Sequence, residues 1–523
     1  MPWPPRASCK IDVSLRDVVR GARLPSLLHS TFLLLLNVLR DAVRGRTVAK
    51  PASFHIPHST FLIPHSSFFI PHSSFRKVGV VFLTIYLLLA LAAGILCQRK
   101  VRSADDYYVA GRQAGVLQVA GSLVATILGS SAILGSIEFA RKSGWAGAWM
   151  MVTGACGLLV LSLLVRRLER FQGYNLPELL GEFYGQTVRK WSAAVIAIAW
   201  LGVVAAQLIG AAEITTAMCG VSYWKSLFVI GGVLVFYTAA GGQFSILKTD
   251  LVQAILVLAG ILMVFCFTLS HNKAIPSASG FFSEKFSVLD LGVLLLTYAT
   301  TYIAGPDIYS RLFCAKDAPT SRKALWVAAL TLIPVGGMLA YIGIYGGAAY
   351  PEHNGSVLLA IAQYEFHPAM SMLLYLALLS AILSSADTTL FNAGGLLAQF
   401  FDANLRSLQS IRRTRGCIIL LGGMSIVVAM FLQSILTVLL GALAIYAGAF
   451  IVPVLWGLFG LRARREFVLA AILTGGVLAL VGKFLPAPWG QWVAIAAFIA
   501  NLTLLWGGHH LKQYNGKKQS NHN

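Results

Sequence analysis

The residues best suited to chemistry cluster in LSAILSSADTTL, residues 379–390, inside an apolar run from 369 to 401. On an α-helix Ala381, Ser384, Ser385 and Thr388 stand at i, i+3, i+4 and i+7. They form one narrow stripe of small and hydroxyl side chains, with Asp387 at its border. A run this long and apolar reads as a membrane span, where an unpaired carboxylate costs at least about 2.5 kcal/mol and must face a partner or a wet cavity. Hard oxygen ligands at this spacing suit a small alkali cation. The competing reading is a small-residue helix contact whose hydroxyls bond back to their own carbonyls.

A second segment favours the cation. GVLQVAGSLVATILGSSAILGSIEF carries Gly121, Gly129, Ser130, Ser131, Gly135 and Ser136 within a membrane-length run, so the helix is expected to unwind in the middle. Carbonyls freed over 125–129 then need a partner at bilayer depth, and a cation is one of the few available. Five spans later LLLTYATTYIAGPDIYSRLF is interrupted at Gly305 and Pro306, with Asp307 beside them. Two interrupted helices in corresponding positions point to two inverted halves around a midplane site; the alternative is glycine packing and a proline kink. Asp250 follows a Gly241-Gly242 turn and reads either as part of the polar centre or as a charge favoured by a helix N-terminus. Gln207 can line a cavity, and Tyr298, Tyr302 and Tyr446 suit either a pocket or packing.

The elements that must position these groups are helices in a bilayer. The 523-residue chain is 57% hydrophobic and 12% charged, with a mean hydropathy of +0.73, which marks an all-α polytopic membrane protein. Its net charge of +21 suggests nucleic acid at first sight. Lys and Arg, however, gather in short segments between apolar runs, as membrane topology requires, so no nucleic-acid partner is inferred. The cysteines are scattered singly, which indicates neither a disulfide framework nor a zinc site.

Residues 1–77 differ from the rest. They are basic, and from Ile56 they repeat every seven residues as IPHSTFL, IPHSSFF and IPHSSFR, each unit with a helix-breaking proline. This stretch is expected to be disordered or to precede the true start, with the functional protein beginning near Val78. From there about thirteen spans of roughly 20 apolar residues follow. With the first span entering from outside, one set of loops collects Arg99, Lys100, Arg102, Arg112, Arg166, Arg167, Arg170, Lys248, Arg311, Lys316, Arg412 and Arg413. The other set keeps few positive charges. That bias expects an outside N-terminus and a cytoplasmic C-terminus in the cell (inner) membrane.

Four segments together resemble the sodium:solute symporter family: DDYYVAGR after the first span, YTAAGGQFSILKTDLVQ at the fifth-to-sixth turn, SRLFCAKDAPTSRKA after the seventh, and SAILSSADTTL in the ninth. NLPELLGEFYG resembles an amphipathic stretch of these carriers. The resemblance covers roughly residues 78–460 and implies the leucine-transporter fold. It places a leading helix and loop at 78–112, inverted five-helix repeats at 113–270 and 271–460, and two trailing helices with a basic tail at 461–523. It also implies a sodium site made by the backbone oxygens of Ala125, Leu128 and Ala381 and the hydroxyls of Ser384 and Ser385. Asp250, Asp387 and Thr388 fall where some members hold a second sodium. Asp387 departs from a hydroxyl there, so this group is open to a cation, a proton or an ion pair with a nearby base.

Ser130, Ser131, Gln207, Tyr298, Thr301, Tyr302 and Asp307 are the polar groups expected to reach a solute. Ala132 stands where the family's sugar carriers place a glutamine, which disfavours a sugar against an amino acid or organic acid. The function expected is sodium-coupled symport of such a small molecule through the lipid bilayer. The alternatives are a proton-coupled carrier of the same fold and a ligand sensor without transport. An enzyme is not expected, since no HExxH, GxSxG or P-loop motif is present.

Overall fold

A computed structural model describes residues 73–98, 101–168, 171, 173–271, 280–283, 286–353, 356–401, 407–431, 435–485 and 489–520. All belong to one compact unit, Pro57–Asn523. The first two heptad repeats and the rest of the chain up to residue 72 lie outside the described residues, while the third repeat, 70–76, ends inside the first helix. The first helix, α1, runs Ser73–Gln98, so it starts before the expected Val78.

Among the described residues the regular elements are helices, joined by two isolated β-bridges, Ala114 to Ala315 and Ser283 to Phe286. In chain order α2 is Ala104–Val109, α3 Val116–Ile127, α4 Ser130–Ser143, α5 Trp149–Leu168, α6 Leu176–Tyr184, α7 Gln186–Cys219 and α8 Tyr223–Ser270. Then come α9 Val288–Leu294, a π-helical turn Leu295–Ala299, α10 Thr300–Ala304, α11 Pro306–Leu312, α12 Ala318–Ala349 and α13 Val357–Tyr364. The last five are α14 Pro368–Phe401, α15 Leu408–Phe431, α16 Ile435–Leu458, α17 Arg465–Phe484 and α18 Trp489–Ser520.

Local chemistry explains where several of them start. Ser103 caps α2 and Asp106 reaches back to the cap, a reciprocal pair that satisfies two orphan donors. Asn175 caps α6 ahead of Pro177, and Asp317 caps α12 by accepting from Thr320 N at 2.7 Å.

Nine helices among the described residues are long and apolar enough to cross a bilayer. The larger number of spans expected from sequence differs because of breaks. Ala132–Leu168 counts once but turns at Gly144 (φ 65°), and Tyr223–Ser270 counts once but joins two helices across Gly242 (φ 60°, ψ −163°). The first half of the second span, Val116–Ile127, is too short to count, the span interrupted at Gly305 falls into short pieces, and Ala442–Leu458 is a shorter apolar helix.

Burial separates centre from rim. The apolar window of α14 is 78% buried and that of α7 72%, against 22% for α1 and 28% for α18. In a lipid-facing bundle the exposed apolar side chains of α1 and α18 are therefore solvated by hydrocarbon. α14 packs chiefly on α7 and α8, and it carries the polar stripe into the middle of the protein.

Candidate functional site

The second span breaks where its glycines allow. α3 ends at Ile127, Leu128 leaves helical geometry (ψ 42°), and Gly129 is extended (φ −66°, ψ 169°) before α4 restarts at Ser130. The hydrogen-bond ladder stops with Leu128 N on Val124 O and resumes with Ala132 N and Ile133 N on Gly129 O. That pattern passes over the carbonyls of Ala125 and Leu128. Gly129 is required by proximity, since a Cβ there would sit 2.6 Å from Ser385 Oγ. Ser385 Oγ donates to Thr126 O at 3.0 Å and to Ala381 O at 3.1 Å. The break and the stripe on α14 thus meet at Ser385, with the Thr126 carbonyl as a further oxygen that sequence reasoning did not single out. An oxygen-only donor set of this kind fits a hard alkali cation.

Ser384 faces a different cluster. Its Oγ donates to Asp250 Oδ1 at 2.5 Å, and Ser122 Oγ donates a short bond to Asp250 Oδ2. Arg311, expected in a solvated loop, is instead buried at 0% exposure and pairs with Asp250 Oδ2 at 3.0 Å. Its Nε donates to Ser122 Oγ (2.7 Å) and Ser122 O (3.2 Å), its Nη1 to Asp307 O (2.9 Å) and its Nη2 to Thr388 Oγ1 (2.5 Å). One guanidinium therefore ties together α3, α8, α11 and α14.

The loop assignment failed because α11 restarts after Gly305 and Pro306 and carries Arg311 back into the bundle. A signal existed in the sequence. Asp307 and Arg311 stand at i and i+4, and intramembrane carboxylates need a counter-charge.

Asp387 is also buried at 0% exposure and accepts from Tyr237 Oη at 2.8 Å; the Thr388 hydroxyl lies 3.3 Å from its Oδ1. Of the three residues expected as a second cation or proton site, Asp250 and Thr388 share Arg311, and Asp387 has its own tyrosine. Where a second small cation was expected, the Arg311 side chain already bonds Asp250 and Thr388.

Asp307 anchors a third group. Trp200 Nε1 donates to its Oδ1 and Oδ2 at 3.1 and 3.2 Å, and Asn392 Nδ2 donates to Oδ1 at 2.6 Å. Trp200 packs edge-on against Tyr446, ring centroids 4.8 Å apart, and Tyr446 hydrogen-bonds Ala304 O. Neither Trp200 nor Asn392 was singled out from sequence, because a tryptophan and an asparagine on apolar helices carry no spacing signal.

The other expected solute residues are placed as follows. Tyr298 and Tyr302 contact each other edge-on at 5.2 Å, and Tyr302 lies over Gly154 of α5, apart from the contacts of Asp307. Thr301 sits between them on α10, and its carbonyl lies over Gly305. Gln207 is buried on α7 at 4% exposure. Ser130 and Ser131 open α4, and their side chains lie outside the described residues. A small void about two to three turns N-terminal of Ser384 is lined by Ile133, Ile137, Ile261, Leu339, Leu374 and Leu378, among other aliphatic residues. It is too apolar to hold a polar solute.

The model of the sodium:solute symporter family matches residues 107–475. The high-affinity proline transporter PutP of Bacillus subtilis (strain 168) is 22% identical over 428 residues, covering 75% of this chain and 89% of that protein. Among solved structures, a substrate-bound outward-open Na+-coupled sialic acid symporter superposes with a TM-score of 0.68 at 16% identity, over 82% of this chain and 97% of that one. Mhp1, a nucleobase-cation-symport-1 family transporter in a closed conformation with bromovinylhydantoin bound, gives 0.54 at 14% identity, over 76% and 93%. The fold is thus that of the leucine-transporter group, and the relatives are transporters, not enzymes.

Proposed function

Because the chain belongs to the sodium:solute symporter family, we propose that it couples sodium entry to symport of a small organic solute, an amino acid or organic acid rather than a sugar. The observation that carries sodium coupling is the unwound stretch at Leu128 and Gly129 lying directly against Ser385. In this reading the carbonyls of Ala125, Leu128 and Ala381 and the hydroxyls of Ser384 and Ser385 hold the ion. Its arrival holds α3 and α4 against α14. Ordering this junction favours the state that binds solute, and closure follows when the solute is in place. Rocking of one helix bundle against the other then opens the site to the cytoplasm. The membrane potential contributes about 2.3 kcal/mol per charge per 100 mV. The protein sits in the cell membrane with its N-terminus outside and its C-terminus inside.

The test is solute uptake into proteoliposomes under a sodium gradient. Ser384→Ala with Ser385→Ala is expected to abolish the dependence on sodium; sodium-driven uptake that persists unchanged refutes the site. One observation favours a second reading, proton coupling: Asp387 is buried close to Asp250, and the single Arg311 already bonds Asp250. A pH jump at constant sodium drives uptake in that case, and a sodium jump at constant pH does not.

A further inference from the structure

Three carboxylates, Asp250, Asp387 and Asp307, converge on the middle of this bundle. Among the described residues Arg311 is the only buried Lys or Arg. Its charge is paired with Asp250, and four of its N–H groups bond Asp250, Ser122, Thr388 and the Asp307 carbonyl. An anionic solute would therefore meet no uncommitted buried cation. Two of the carboxylates lack a fixed counter-charge, and at bilayer depth such charges are paired. A positively charged group on the solute is one such partner.

The geometry around Asp307 shows where. Asp307 stays partly accessible while Ile308, Tyr309, Ser310 and Arg311 after it are buried. Its Oδ1 accepts from both Asn392 and Trp200, whereas Oδ2 shares only the Trp200 N–H, so that oxygen retains accepting capacity. Trp200 and Tyr446 stand beside it with ring planes at 64°, and Phe450 extends the aromatic wall 5.4 Å beyond Tyr446. Near Tyr446, the hydroxyl of Tyr309 is buried with no hydrogen-bond partner among the described residues. A partly accessible carboxylate oxygen with spare accepting capacity, held in place by the Trp200 and Asn392 N–H groups, attracts a cation by charge.

We propose that the transported solute carries a positively charged nitrogen, an ammonium or quaternary ammonium, and that Asp307 receives it beside Trp200 and Tyr446. The proposal rests on the symporter reading and narrows it to amino acids and amines, setting aside simple organic acids.

The test uses the purified full chain and reads its melting temperature. Sodium chloride is first compared with potassium chloride without solute, which probes the ion site alone. Choline, its neutral carbon analogue 3,3-dimethyl-1-butanol, L-proline, acetate and D-glucose are then titrated in sodium. At least one of choline and L-proline is expected to stabilise the protein further, and the neutral analogue, acetate and glucose are not. Asp307→Asn is expected to keep the sodium response and to weaken binding of the ammonium-bearing probe by about tenfold or more.

The proposal is overturned if neither choline nor L-proline acts, if the neutral analogue, acetate or glucose acts as well, or if Asp307→Asn binds like the wild type. Should Asp307→Asn fail to fold, the wild-type comparison of choline with its neutral analogue decides alone where choline binds. Where L-proline is the probe that binds, acetate and glucose decide. A cationic probe that binds with no response to sodium leaves Asp307 standing and removes sodium coupling.

Discussion

Removing the guanidinium of Arg311 would leave Asp250 with two hydroxyl donors and no counter-charge in a fully buried position. Breaking a buried pair from one side costs about 3–5 kcal/mol, because the remaining charge stays desolvated. Arg311→Met is therefore expected to lower the melting temperature clearly, and Asp250→Asn in the same chain to recover part of the loss. Arg311→Lys does not restore the wild type, since an ammonium cannot reach Ser122, Asp250, Thr388 and the Asp307 carbonyl from one position. A thermal-unfolding double-mutant cycle checks this; additive losses would show that the two side chains are not coupled.

Among the elements, α8 depends most on a single backbone position. Gly242 holds φ 60° and ψ −163°, a region open essentially to glycine, and a Cβ there would come within 2.6 Å of the Tyr107 ring and 2.9 Å of its carbonyl oxygen. The bend sets Asp250, on the following turns, at the depth of Arg311. Gly242→Ala is expected to destabilise the protein by about 1–3 kcal/mol from backbone strain, with the clash against Tyr107 adding to it. It should also weaken the sodium response, since Ser384 and Ser122 meet through Asp250. A melting curve identical to that of the wild type, with and without sodium, would remove this role.

At the scale of the molecule, both ends of α12 are tied across the bundle. Just ahead of its start Ala114 N donates to Cys314 O at 3.0 Å, and Lys316 N donates to Ala114 O at 3.3 Å. Beyond its other end Arg141 Nη2 donates to the carbonyls of Pro351 (3.1 Å) and His353 (2.8 Å), and Glu138 accepts from Val357 N at 3.0 Å. This second latch lies about a turn from the aliphatic void, through Ile137 on α4. Burial, together with the Arg141 charge, holds the His353 imidazole below its ordinary value, so it is neutral at pH 7. The unfolded chain then binds the proton more readily, and the latch loses stability as pH falls from about 6.5 towards the lower folded value.

Arg141→Ala is accordingly expected to speed labelling of a cysteine placed at Leu378 by a membrane-impermeant thiol reagent, in a background without the native cysteines. Acidification from pH 7 to 5 should do the same in the parent and less in His353→Ala. Equal rates throughout would show that this contact does not gate access.

The amino-acid sequence by itself determined the solvent of this protein, the helical class, a break in the second span within residues 125–129 and the hydroxyl stripe on α14. These are local properties: hydropathy over twenty residues, glycine placement and the 3.6-residue period act within one segment. It also marked Asp250, Asp307 and Asp387 as groups in need of partners. Which partner each one takes was decided only by the tertiary structure, because the partners lie far apart in sequence on different helices. Arg311 shows the reason most plainly. Counted along the chain it belongs with loop charges, and only the packing of α3, α8 and α14 around the short helix after Pro306 turns it into the buried counter-ion of the site.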